Sequence, residues 1–130
     1  MQDVRQIGGT PILVTSLSRR NYKDGQLIED PLREYSAAMG EIAIQDDVPL
    51  IDLYKLSRAL LEPMSQQQAD RYDATTHDDA RAEGAAATTP DRTHLNEVGK
   101  KTFGDMVANA VSQNVPALRA YIKAASSVEK

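Results

Sequence analysis

Pro11-Ile12-Leu13-Val14-Thr15 and, 37 positions later, Val48-Pro49-Leu50-Ile51-Asp52 are the two stretches that decide the fold. Each is a short apolar run rich in β-branched residues, the first bounded by Gly8-Gly9 and by a polar stretch. Such runs read as strands of a parallel sheet buried on both faces. Between them, Asp30-Pro31 carries helix-start chemistry, an N-cap acid followed by proline at the first helical position. Leu32, Tyr35, Met39 and Ile42 follow at three- and four-residue spacings, one apolar stripe that Gly40 weakens and Asp46-Asp47 ends. Strand, helix and strand at this spacing form one βαβ unit, so the two strands are expected to be parallel neighbours.

Outward from this unit, Ser16 to Glu29 is polar, with Asn21 and Lys23-Asp24-Gly25 as turn chemistry, and reads as a loop. Short helices are expected over Leu53–Leu61 and Ser65–Tyr72, with Ser65 as a cap. Asp73 to Pro90 is rich in Thr, Ala, Asp and Gly and reads as a long exposed loop. A strong helix follows from about Glu97, with Val98, Phe103, Met106, Val107, Ala110 and Val111 on one face, and Pro116 opens a last helix. Tyr35, Met39, Phe103 and Met106 are expected in the core. Two strands leave two open edges and too little area to cover these helices, whereas open doubly wound sheets use about five strands. The expected fold class is therefore α/β, residues 1–130 as a single truncated domain with a short parallel sheet and flanking helices.

Composition narrows the function classes. The 130 residues carry a net charge of −4 and 26% charged residues. With no basic stripe, neither nucleic acid nor an anionic membrane surface is an expected partner. The absence of cysteine excludes a disulfide scaffold, a thiolate nucleophile and a Cys-type zinc site. Met1 to Gly9 has no apolar run, and nothing later approaches the roughly 20 apolar residues of a span. The chain as written is expected in the cytoplasm, although an exported parent is compatible with it. His77 lies beside Asp78 and Asp79, but a metal site needs three or more converging ligands. It reads as an exposed loop residue, and neither metal nor cofactor is expected.

The chemistry concentrates in Asp91-Arg92-Thr93-His94-Leu95-Asn96-Glu97-Val98-Gly99. In acyl transfer a carboxylate fixes the imidazole tautomer and stabilises the imidazolium while histidine moves the proton. A three-residue spacing lets one turn supply both groups. The same four residues equally suit helix capping, so the motif alone does not choose.

Its context does. The Leu13-Val14-Thr15 strand, the Ser18-Arg19-Arg20-Asn21-Tyr22 loop, the Asp30-Pro31 helix, the strand from Val48 to Leu53, and Asp-x-Thr-His-x-Asn-x-x-Gly from Asp91 to Gly99 follow in this order. With the closing Pro116 to Tyr121, this resembles the rhamnogalacturonan acetylesterase branch of the SGNH/GDSL hydrolases, from about Gly9 to Ile122. The resemblance implies a flavodoxin-like SGNH fold of which this is the C-terminal half. It also implies a carboxylic ester hydrolase acting on acetyl or other short-chain esters, with Asp91 as the acid and His94 as the base. The family's nucleophile comes from a Gly-Asp-Ser block, and its oxyanion donors from that serine, a glycine and an asparagine on earlier strands. The chain contains no Gly-Asp-Ser.

A non-standard serine is therefore expected to stand in. Ser16 and Ser18 follow the first strand at the carboxyl edge where open α/β sheets bind ligands. Asn21, Arg19 and Arg20 share that loop and are candidates for oxyanion or carboxylate contacts, although loop serines commonly satisfy local backbone instead. The expected substrate is a small ester, with an acetylated sugar as the family's suggestion. The alternative is a catalytically weak or inactive remnant serving as an oligomeric interaction module. Either way, the unpaired edge of the Pro11–Thr15 strand predicts a homo-oligomer.

Overall fold

The computed structural model describes residues 1–75 and 91–122. His77, Asp78 and Asp79 lie outside them. Strand β1 (Leu13–Val14) pairs parallel with β4 (Leu50–Ile51), Leu13 opposite Leu50 and Val14 opposite Ile51. The expected βαβ unit is thus present, with helix α2 (Leu32–Gln45) as its crossover. The helix starts one residue later than expected, with Pro31 as its N-cap, and Asp30 Oδ1 accepts the Leu32 N–H at 2.8 Å.

The end of α2 explains how β4 is launched. The Val48 N–H donates to Ala43 O at 3.0 Å and the Asp47 N–H to Ile44 O at 3.4 Å, while Asp47 takes φ 48°. This is the paired bonding of a left-handed C-terminal cap, with aspartate where glycine is usual. Buried Val48 and Ala43 supply its apolar contact.

Beyond β4, Asp52 caps α3 (Leu53–Leu61) by accepting the Lys55 N–H. Ser65 caps α4 (Gln66–Asp70) in a reciprocal capping box with Gln68. Helix α5 (Glu97–Asn114) packs on β4 and α3, and a 3-10 helix, Pro116–Tyr121, closes the described chain. Leu61, Ala69, Tyr72 and Phe103 form the core cluster, Tyr72 and Phe103 meeting edge to face at 5.3 Å. No helix among the described residues is long and apolar enough to cross a membrane.

Three expectations are corrected. The Ser16–Glu29 segment is not loop throughout. Tyr22–Lys23 (β2) and Gln26–Leu27 (β3) form an antiparallel ribbon, turned by Asp24 (φ 52°) and Gly25 (φ 79°). An Asp-Gly pair with two positive φ values matches the right-handed strand twist of a tight hairpin. A short helix, α1 (Gln2–Gln6), precedes β1 where no element was expected. The α2 stripe, moreover, is core only in part: Leu32 and Met39 are half-buried, Tyr35 is 69% and Ile42 43% exposed, and Ser36 and Ala43 are the buried positions. Phe103 is buried as expected, but Val98, on the same expected face, is 55% exposed.

Candidate active site

The site is one turn, Asp91 to His94, just ahead of α5. Asp91 Oδ1 accepts the backbone N–H of Thr93 at 2.9 Å and of His94 at 3.0 Å. Its Oδ2 lies 2.7 Å from His94 Nδ1. Three hydrogen bonds to one carboxylate favour its charged form. They hold the Asp91 carboxyl at about 2, the His94 backbone N–H contributing most and the His94 side chain next. The imidazole itself projects outward, its side chain 77% exposed. Helix capping falls to Asn96, whose Oδ1 accepts the Gly99 N–H at 2.9 Å, so Asp91 and His94 are not used for it.

The turn is strapped to the body by backbone. Asp73 forms an antiparallel bridge with Leu95: the Ala74 N–H donates to His94 O at 3.2 Å, and the Asn96 N–H to Tyr72 O at 3.1 Å. The Asp91 N–H donates to Thr75 Oγ1 at 3.0 Å. Close packing behind the turn needs Gly99, since a Cβ there would stand 2.5 Å from Tyr72 O.

The serine candidates separate. Ser18 is 1% exposed and turned inward. Its hydroxyl lies 3.3 Å from buried Asp30 Oδ2 and 3.2 Å from Arg19 O, and its N–H donates to Ser57 Oγ. Ser18 is thus engaged with local polar groups, although it borders the same cavity as Ser16. Ser16 is exposed at the end of β1. It lines a cavity of about 230 Å³ together with Ser18, Arg19, Arg20, Arg92 and Thr93. Neither serine is hydrogen-bonded to His94 among the described residues.

Arg19 reaches the turn, its Nη1 donating to Thr93 Oγ1 and its N–H to Asp30 Oδ2 at 3.0 Å. The Asn21 backbone carbonyl accepts the Ile28 N–H at the base of the ribbon, and Asn21 does not line the cavity. Arg20, a further candidate for such contacts, is 1% exposed and ion-paired with Asp73. Burial pushes the Asp73 carboxyl above its ordinary range, and Arg20 opposes that. Arg92 lies 3.4 Å from Asp70 Oδ1 and 3.9 Å from Asp73 Oδ2. This Arg20, Asp70, Asp73 and Arg92 network was not legible as part of the site, because no local spacing links Arg20 to Asp73. No group of three potential metal-ligating side chains converges among the described residues.

Comparison with known proteins adds an independent observation. The rhamnogalacturonan acetylesterase RhgT of Bacillus subtilis (strain 168) is 29% identical over 109 residues, 84% of this chain and 47% of that protein. A probable rhamnogalacturonan acetylesterase of the same organism, YesY, is 27% identical over 120 residues, 92% of this chain and 50% of that protein. The chain thus spans about half the length of the curated relatives it matches. No family model matches it. No solved structure matches it either. By sequence, then, the chain is a distant relative of proteins named rhamnogalacturonan acetylesterases, built as an α/β unit on a short parallel sheet.

Proposed function

We propose that this chain carries the acid–base pair of a carboxylic ester hydrolase that removes acetyl or other short acyl groups from a small ester, an acetylated sugar being the substrate its relatives' names suggest. The observation that carries this reading is the bond between Asp91 Oδ2 and His94 Nδ1. With Nδ1 donating to the carboxylate, Nε2 is left as the acceptor for a hydroxyl proton. Held near 2, Asp91 stays charged at neutral pH and stabilises the imidazolium as it forms.

Ser16 is the nucleophile of this reading, as the exposed serine on the cavity that Arg92 and Thr93 share. Its hydroxyl oxygen attacks the ester carbonyl and its proton passes to His94 Nε2. His94 then returns that proton to the departing alcohol, and water releases the acyl group by the same path. Arg19, bonded to Thr93 and lining the same cavity, is the oxyanion contact of this reading. A serine-directed phosphonate tests the assignment by peptide mapping. Label on Ser16 that disappears in His94→Ala supports it. Label elsewhere, at Ser36 or Ser57 for instance, overturns Ser16 as nucleophile.

A second reading rests on a different observation. Tyr35, Ile42 and Ile44 on α2, together with Val14 on β1, are uncovered. Among the described residues β1 pairs on one side only. In this reading the chain is an interaction module of little or no turnover, assembling with its own copy through the β1 edge.

A further inference from the structure

Arg20 is among the most deeply buried side chains of the described protein. Nε pairs with the Asp73 carboxylate, whose side chain is 0% exposed. Nη2 reaches past it to the backbone carbonyl of His94 at 3.0 Å. The Arg20 carbonyl accepts from Gln66 Nε2 at 3.0 Å, which fixes the loop from the other side. Taking both charges out of water is costly, and an apolar pair of similar volume often serves stability equally well. A rigid fork that meets two acceptors in set directions does something an apolar pair cannot. Here the two acceptors are the strap residue Asp73 and the residue that carries the imidazole.

We propose that Arg20 is a positioning residue for His94, locking the Asp91–His94 turn to the loop that follows β1. The proposal rests on reading Asp91 and His94 as the acid–base pair. Its geometric content stands apart from turnover. The His94 carbonyl is held from two sides, by the Ala74 N–H and by Arg20 Nη2. Arg19, the next residue, touches Thr93 inside the same turn. Arg19 and Arg20 thus tie the loop that carries Ser16 to the His94 turn, and Arg20 does so without a bond to the imidazole ring.

The test replaces the pair without stranding a charge, in the double variant Arg20→Met/Asp73→Leu, and uses Arg20→Lys beside it. Two readouts are taken: the Asp91 carboxylate midpoint by carbon NMR, and kcat and KM for p-nitrophenyl acetate. The Asp91 midpoint reports the turn directly, because the N–H bonds of Thr93 and His94 hold it down. In the folded double variant the midpoint is expected to climb from about 2 toward 3.8. The value of kcat is expected to fall about a hundredfold, the scale of a 1 Å misplacement, with KM little changed. Arg20→Lys keeps the charge but not the fork, and is expected to move both in the same direction. It also decides the matter if the apolar pair does not fold. Folded variants with the wild-type midpoint overturn the proposal. Should the wild type hydrolyse nothing, the functional reading fails while the midpoint still decides whether Arg20 positions the turn.

Discussion

Asp91 and His94 close a ring within a single turn. Oδ2 of Asp91 lies 2.7 Å from His94 Nδ1, while Oδ1 of the same carboxylate accepts the His94 backbone N–H at 3.0 Å. One side chain thus sets both the ring's orientation and the fold of the backbone that carries it.

Asp91→Asn tests the ring contact. An amide there no longer demands a proton on Nδ1, so the tautomer is mis-set. Turnover of p-nitrophenyl acetate is expected to drop by up to about 10⁴, with KM little changed. Circular dichroism should show the fold intact, since the amide oxygen still accepts the two backbone N–H groups. Wild-type kcat in this variant would count against the pair.

The depressed Asp91 carboxyl also fixes a pH dependence. Its folded value, about 2, lies below its ordinary 3.8, so below 3.8 the unfolded chain binds more protons than the folded one. The resulting stabilisation is complete above that range and is lost as pH falls toward 2. Urea unfolding at stepped pH should therefore show wild type losing its advantage over Asp91→Asn between pH 4 and 2. A constant difference across the window would refute the sign.

Two glycines of α5 predict opposite outcomes. Gly99→Ala pushes a methyl to 2.5 Å from Tyr72 O, a backbone atom of the strap beneath the site. It is expected to cost about 1–3 kcal/mol of stability. Gly104 is exposed in mid-helix, and a methyl added there would meet nothing within 4 Å. Gly104→Ala is expected to gain about 0.5–1 kcal/mol. Thermal melts of both variants check the pair.

The uncovered α2 stripe and the open β1 edge predict association. Light scattering at micromolar concentration is expected to give a homo-oligomer, and Val14→Lys, a charge on the edge strand, to shift it toward monomer. A stable monomer of 14.2 kDa for the wild type would defeat the second functional reading.

What was legible in the amino-acid order follows from locality. Apolar runs, the Asp30 bond at the start of α2, the Ser65 cap, and the three-residue spacing of Asp91 and His94 all act within one turn or one strand, and the structure shows these contacts. Periodicity grouped Tyr35 with Met39 and Ile42, but it cannot say which face of α2 the rest of the chain covers. The buried face turned out to hold Ser36 and Ala43. The ribbon at Asp24-Gly25 was hidden because its strands are two residues long, too short for alternation to register. Arg20 was grouped with Arg19 and Asn21 as a candidate oxyanion or carboxylate contact, and its burial was hidden because its partner, Asp73, lies 53 positions away. The burial of Ser18 was hidden for the same reason, its partner Asp30 lying 12 positions on.

The most direct measurement is the initial rate of p-nitrophenyl acetate hydrolysis by wild type and by His94→Ala at matched concentration. The account predicts turnover by the wild type and a loss of several orders of magnitude in the variant, toward the rate of the ester in buffer. Equal rates in the two proteins would contradict it.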